Sequence, residues 1–101
     1  MNSERAYQLA FKKSALKEWR KLNADVRAQF KKKLEQRLMN PYVPSAAVSG
    51  GMNLYKIKLR QLGYRLVYSV TEHTVTVTVV AVGKRNRNAI YDIALLRMKR
   101  R

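Results

Sequence analysis

A chain of 101 residues can build one domain around a modest core, and at 47% hydrophobic residues it is not a disordered basic tail. Twenty-two Lys and Arg against six Asp and Glu leave a net charge of +16, a field that repels itself unless a polyanion answers it. Nucleic acid is therefore the expected partner. Cysteine is absent, which excludes disulfides and thiolate metal sites; no apolar run is long enough to span a bilayer, and the N-terminal stretch lacks the apolar core of a signal peptide. A cytoplasmic setting without membrane contact is expected.

Met1 to Ala6 reads as a loose leader. Tyr7, Leu9 and Phe11 alternate with Gln8 and Ala10, which predicts a short first strand. In SALKEWRKL, Ala15, Trp19 and Leu22 fall at i, i+4 and i+7 with Leu16 alongside, the stripe of an amphipathic helix with Trp19 as a core anchor. Asn23 is placed to cap a second helix, and Asp25 puts a negative charge in its first turn, where the helix dipole favours one. Val26, Phe30, Leu34 and Leu38 then recur every fourth residue, away from the basic run Lys31-Lys32-Lys33. This helix should stop near Met39, because Asn40 precedes Pro41 and is pushed out of the α region. Two helices joined by one or two residues form an αα-hairpin. Residues 40–53, NPYVPSAAVSGGMN, carry no charge and read as a loop.

Tyr55 to Val70, YKIKLRQLGYRLVYSV, organises the rest. It reads as two antiparallel strands around the turn Gln61-Leu62-Gly63, with Gly63 free to take positive φ. Side chains alternate between faces in a strand. Tyr55, Ile57 and Leu59 thus join Tyr64, Leu66, Tyr68 and Val70 on an apolar face, while Lys56, Lys58 and Arg65 share the other. A second turn follows at Thr71-Glu72-His73, then a strand over Val75 to Val82 that becomes wholly apolar and suits a central position. Gly83 is expected to break this strand and release Lys84-Arg85-Asn86-Arg87. Asn88 is placed to cap a final helix with Ile90, Ile93, Ala94 and Arg97 on one face, followed by a basic tail at Lys99 to Arg101. The order β-α-α-β-β-β-α predicts an α+β fold: an antiparallel sheet with the αα-hairpin and the C-terminal helix packed on one face.

Most familiar catalytic parts are missing. His73 is the single histidine and reads as an exposed turn residue. No carboxylate pair is suitably spaced, no cluster has metal-ligand spacing, and no phosphate-binding GxxxxGK[ST] loop is present. Neither a cofactor nor a metal is expected. What remains is Lys56, Lys58 and Arg65 on the hairpin, Lys84, Arg85 and Arg87 after the next strand, and Tyr91 beyond. In an antiparallel sheet the end of that strand lies beside the start of Tyr64 to Val70, so Arg85 should converge with Arg65 and the lysines around a phosphate.

YKIKLRQLGYRLVY followed by VGKRNRNAIY closely resembles the RelE toxins of bacterial type II toxin–antitoxin modules, and ALKEWRKL and the basic second helix agree. The resemblance runs from Tyr7 to Met98. It departs at Ser49 and Ala47, where Arg and Lys are common, and at Asn86, where Glu is frequent. The resemblance implies a ribosome-dependent endoribonuclease that cuts mRNA in the ribosomal A site, with Lys56, Lys58, Arg65, Arg85 and Tyr91 as its active site. It also implies a cognate RelB-like antitoxin as partner, the chain being monomeric when free. The wider basic surface expected to meet RNA or ribosome comprises Lys31, Lys32, Lys33, Arg37, Arg60, Lys84 and Arg87. The alternatives are a ParE-like inhibitor of gyrase on the same fold, or a small basic nucleic-acid-binding protein.

The chemistry of RNA cleavage fits such a cluster. The 2′-OH must lose its proton, the phosphate gains negative charge, and the 5′-oxygen must leave. A lysine with an ordinary pKa near ~10.4 is a poor base at neutral pH, but crowding by like charges lowers it. Lys58 is thereby a candidate base, with Lys56 and Arg65 on the phosphate oxygens. Arg85 is assigned charge stabilisation because guanidinium hardly gives up protons, and Tyr91 is assigned stacking or positioning.

Overall fold

The computed structural model describes residues 6–86 and 88–99; residues 1–5 of the expected leader, Arg87, and the tail at Arg100 and Arg101 lie outside the described residues. The elements follow as β1 (Gln8–Phe11), α1 (Lys13–Lys21), α2 (Ala24–Met39), a 3₁₀ turn (Pro44–Ala46), β2 (Leu54–Leu59), β3 (Tyr64–Thr71), β4 (Thr76–Lys84) and α3 (Ala89–Lys99). The order is the expected one, within an α+β fold.

Local chemistry sets the helix ends. Leu22 leaves α1 with extended backbone and is itself buried, so the chain turns after Lys21. The Asn23 side chain accepts a hydrogen bond from Val26 N at 2.9 Å and satisfies one of the free amides of α2. At the other end, Met39 is the last helical residue before Asn40 and Pro41. Val26, Phe30 and Leu34 are buried as their spacing predicts, and each full burial contributes about 1.5–3 kcal/mol. The loop 40–53 is more structured than its composition suggested: besides the 3₁₀ turn, Ala47 bridges Tyr55.

The sheet runs β1-β4-β3-β2. β2, β3 and β4 form an antiparallel meander, but β1 lies parallel to β4, Gln8 opposite Thr76 and Phe11 opposite Val79. The sheet is therefore mixed rather than wholly antiparallel. The reason lies in the connection. The chain leaves β1 through two helices and two further strands before β4 pairs with it, and such a crossover allows parallel alignment. Four alternating residues carry no sign of direction.

The helices cover both faces, not one. Phe30, Leu34, Ile57, Leu59, Leu66 and Tyr68 form one core under α1 and α2. Val48, Leu54, Val67, Val80, Ala81, Ile90 and Ala94 form a second under α3. β4 serves both by alternation and carries a bulge: Val67 pairs with Ala81 and Tyr68 with Val79, leaving Val80 as an extra residue. The bulge turns Val80 and Ala81 together towards α3, while Val79 and Val82 stay with the first core. Burial on both faces accounts for the unbroken apolar run. Gly83 does not end the strand, which continues to Lys84. Its role is space, since a Cβ there would stand 3.0 Å from Ile90 Cδ1.

Candidate active site

The basic face of the hairpin is divided in two. Near Leu54 and Val67 it is apolar and lies under α3; towards the turn, Lys56, Lys58 and Arg65 emerge beside Tyr91 of α3. Register does the rest. Lys58 pairs with Arg65, and Arg65 with Gly83 on β4, so one row across three strands carries two cations and a residue without a side chain. Gly63 has φ +73° in the turn and donates its N–H to Leu59 O at 2.8 Å. Its own carbonyl accepts from Arg85 N at 2.7 Å, which fixes Arg85 beside the hairpin turn. The fold brings Arg85 to one cleft with Lys58 and Arg65, while Lys56 lies outside that lining, against the Tyr91 ring.

Lys58, Arg60, Gly63, Arg65 and Arg85 line a cleft of about 40 Å³. A hollow of this size ringed by four cationic side chains suits the oxygens of a phosphate. Desolvation, followed by the charges of Lys56, Arg60, Arg65 and Arg85, lowers the pKa of Lys58 below the ordinary lysine value. Lys56 Nζ lies 5.4 Å and Arg65 Cζ 5.1 Å from the centre of the Tyr91 ring, within cation–π range. Burial raises the Tyr91 pKa against the opposing pull of Arg65 and Arg60, and its hydroxyl is buried without a hydrogen-bond partner among the described residues. Asn88, expected as a helix cap, has φ +74° and accepts from Arg65 Nη1 at 3.4 Å. That role was missed because a capping residue and a side-chain anchor read alike in sequence.

The wider basic surface is less uniform. Arg60 lines the cleft, and Lys84 is exposed on β4 opposite Tyr64. Lys31, Lys32 and Lys33 are exposed on α2, which packs on the opposite face, yet Lys33 shares a groove with Lys58. Arg37 stands apart. Its Nη1 donates to Lys56 O at 3.2 Å and to Tyr68 Oη at 2.8 Å, and its guanidinium lies 5.7 Å from the Tyr68 ring centre. It ties α2 to the strand carrying the lysines instead of presenting a free cation. Arg87 falls outside the described residues. His73 is exposed in the turn where it was expected.

Comparison with known proteins agrees with this fold. Residues 9–89 match the family described as ParE toxin of type II toxin-antitoxin system, parDE. The mRNA interferase toxin RelE of Escherichia coli strain K12 is 50% identical over 93 residues, spanning 92% of this chain and 98% of that protein. The structure of a double-arginine mutant of E. coli toxin RelE in the free state matches with a TM-score of 0.85 at 47% identity, covering 93% of this chain and 99% of that one. The crystal structure of the intact E. coli RelBE toxin–antitoxin complex matches with a TM-score of 0.78 at 51% identity, over 81% of this chain and 100% of that one. With its family profile, its relatives and its fold in agreement, the chain belongs to the RelE/ParE family of toxins from type II toxin–antitoxin systems.

Proposed function

We propose that this toxin is a ribosome-dependent endoribonuclease that cuts mRNA in the ribosomal A site and so stops translation. The observation that carries this reading is the convergence of Lys58, Arg60, Arg65 and Arg85 on a cleft of phosphate size, with Tyr91 beside it. A relative of half identical sequence carries the name mRNA interferase. A gyrase inhibitor on the same fold has no need of a phosphate-centred cluster.

Neutral Lys58 takes the 2′-OH proton as the 2′-oxygen bonds to phosphorus. Lys56 and Arg65 hold the phosphate oxygens, and Arg85 offsets the charge that builds as the P–O5′ bond breaks. The departing 5′-oxygen takes its proton from solvent, leaving a 2′,3′-cyclic phosphate. Tyr91 positions the substrate. These are weak acid–base groups, so positioning must supply much of the rate. A ribosome that holds the message in register provides it. Control requires a partner: an acidic, partly disordered RelB-like antitoxin in the bacterial cytoplasm, whose charge speeds encounter with a +16 chain. Among the described residues no helix is long and apolar enough to cross a membrane.

Incubating the purified chain with mRNA-programmed ribosomes and mapping new 5′ ends tests the reading. Cuts within A-site codons are expected, with Lys58→Ala and Arg85→Ala each slower by about a hundredfold or more while still folded. Intact message beside inhibited gyrase would transfer the chain to the ParE-like class.

A further inference from the structure

We propose that the groove between α2 and the β2–β3 hairpin is a subsite for a nucleotide of the message next to the scissile phosphate. The inference rests on the endoribonuclease reading and adds to it a place where sequence is read.

The two hollows on this side of the molecule share a wall. Lys58 and Arg60 line both the phosphate-sized cleft and a larger groove of about 300 Å³ that rounds the outer edge of the sheet. β2 is the outermost strand, so the groove runs from the basic face past a free strand edge to α2. At about 40 Å³ the cleft is small beside the nucleosides attached to the phosphate it binds. At about 300 Å³ the groove reaches the ~300–1,000 Å³ range of small-ligand sites. A nucleotide joined to a phosphate at Lys58 therefore has adjacent room of the right size.

The lining has the chemistry of a nucleotide. Lys33 of α2 joins Lys58 and Arg60 as a cation for the next phosphate. Gln29 and Gln61 approach from the helix and the hairpin turn. An amide offers a donor and an acceptor together and can pair with a base edge in two-pronged fashion. Leu62 at the turn is 38% exposed and lines the same groove, giving an apolar surface against which a base ring can lie. Among the described residues no carboxylate lines the groove.

The test uses the full chain on ribosomes programmed with messages carrying all four bases at each A-site codon position, read as single-turnover cleavage rates. Gln29→Ala combined with Gln61→Ala is expected to change the ratio of rates between bases at one codon position by about tenfold. The exposed Gln36→Ala on α2, outside the groove, is expected to leave every ratio unchanged. Far-UV circular dichroism confirms that the variants fold. Unaltered ratios overturn the subsite. Unaltered ratios with weakened ribosome binding place ribosomal RNA in the groove instead and overturn it equally. Absence of cleavage by the unaltered chain is a different failure, because it removes the enzymatic reading itself and the subsite with it.

Discussion

Glu18 and Arg97, 79 residues apart, close the open end of the sheet with a two-pronged ion pair, Nη1 to Oε1 at 2.9 Å and Nη2 to Oε2 at 2.8 Å. Both side chains also reach the backbone of β4. Glu18 Oε1 accepts from Val82 N at 3.2 Å, and Arg97 Nη1 donates to Val80 O at 2.9 Å. β1 ends at Phe11, opposite Val79, so from Val80 onward β4 has no strand partner on that side. Two side chains replace it. They join α1 on one face to α3 on the other, and α3 carries Tyr91 into the site.

Breaking this latch should cost stability in a coupled way. Glu18→Ala leaves the Val82 N–H without its partner and the Arg97 guanidinium held by Val80 O alone, and a loss of about 1–3 kcal/mol is expected. Arg97→Met should cost a similar amount. The double variant should lose less than the sum, with a coupling of about 0.5–3 kcal/mol. Urea unfolding of the four proteins measures it, and strictly additive losses would show that the pair does not act as a unit.

Lys58 sets the expected pH dependence. Desolvation and the cations around it favour its neutral form, so its folded pKa lies below the ordinary lysine value. A lysine acts as base only when neutral. Cleavage should therefore rise with pH at unit slope in log rate and level off at that lowered pKa. Arg60→Gln removes one repelling charge and should move the whole profile to higher pH, slowing the reaction at neutral pH. Single-turnover rates across the range decide the matter. A flat profile, or one indifferent to Arg60, would remove Lys58 as base.

Much of this was legible from alternation and spacing alone. The hairpin faces, the Asn23 cap, the stop at Met39 and the approach of Arg85 to Arg65 all follow from local rules, because each is decided within a few residues or by antiparallel pairing of neighbours. Long-range choices were not legible. The parallel placement of β1 depends on a crossover, and the second face that α3 covers is assembled from Val48, Leu54, Val67, Val80 and Ala81, which lie on four separate segments. A bulge leaves no mark in an all-apolar run. Arg37 was read as part of an RNA-facing surface because charge alone does not say which arginine turns inward to Lys56 O and Tyr68. Glu18 and Arg97 gave no sign of each other at all.

Tyr91 should act through its ring and not its hydroxyl. The hydroxyl is buried without a partner among the described residues, and burial raises its pKa, which makes it unsuited to proton transfer at neutral pH. The ring lies close to Lys56 and Arg65. Tyr91→Phe should thus cleave at close to the parental rate and be more stable by about 1 kcal/mol, since it removes an unsatisfied buried group. Tyr91→Ala should cleave at least about tenfold more slowly, having lost both the cation platform and the surface a base would meet. Equal losses in the two variants would assign the role to the hydroxyl.

Glu72 should give the far end of the sheet a stability that depends on acid. Its Oε1 accepts from Tyr42 Oη at 2.7 Å and Tyr7 Oη at 2.8 Å, so one carboxylate joins the turn after β3 to the segments before β1 and after α2. Behind it, the rings of Tyr7, Tyr42, Tyr55 and Tyr68 follow one another at 6.4, 6.1 and 5.8 Å. The last of them buries its hydroxyl against Pro41 O at 2.8 Å. The Tyr42 bond first, then the Tyr7 bond, lowers the Glu72 pKa below its unfolded value of about 4.3. A lowered carboxyl pKa gives stability that is full above the unfolded pKa and disappears as pH falls through the folded one. The same bonds raise both tyrosine pKa values, which adds a second loss as pH rises past the ordinary tyrosine value of about 10. The Tm difference between the parent and Glu72→Gln should therefore hold steady through neutral pH, then shrink below about pH 4. Thermal unfolding followed from neutral to strongly acid pH tests this. Curves that stay parallel to the acid limit would show that the carboxylate charge contributes nothing there.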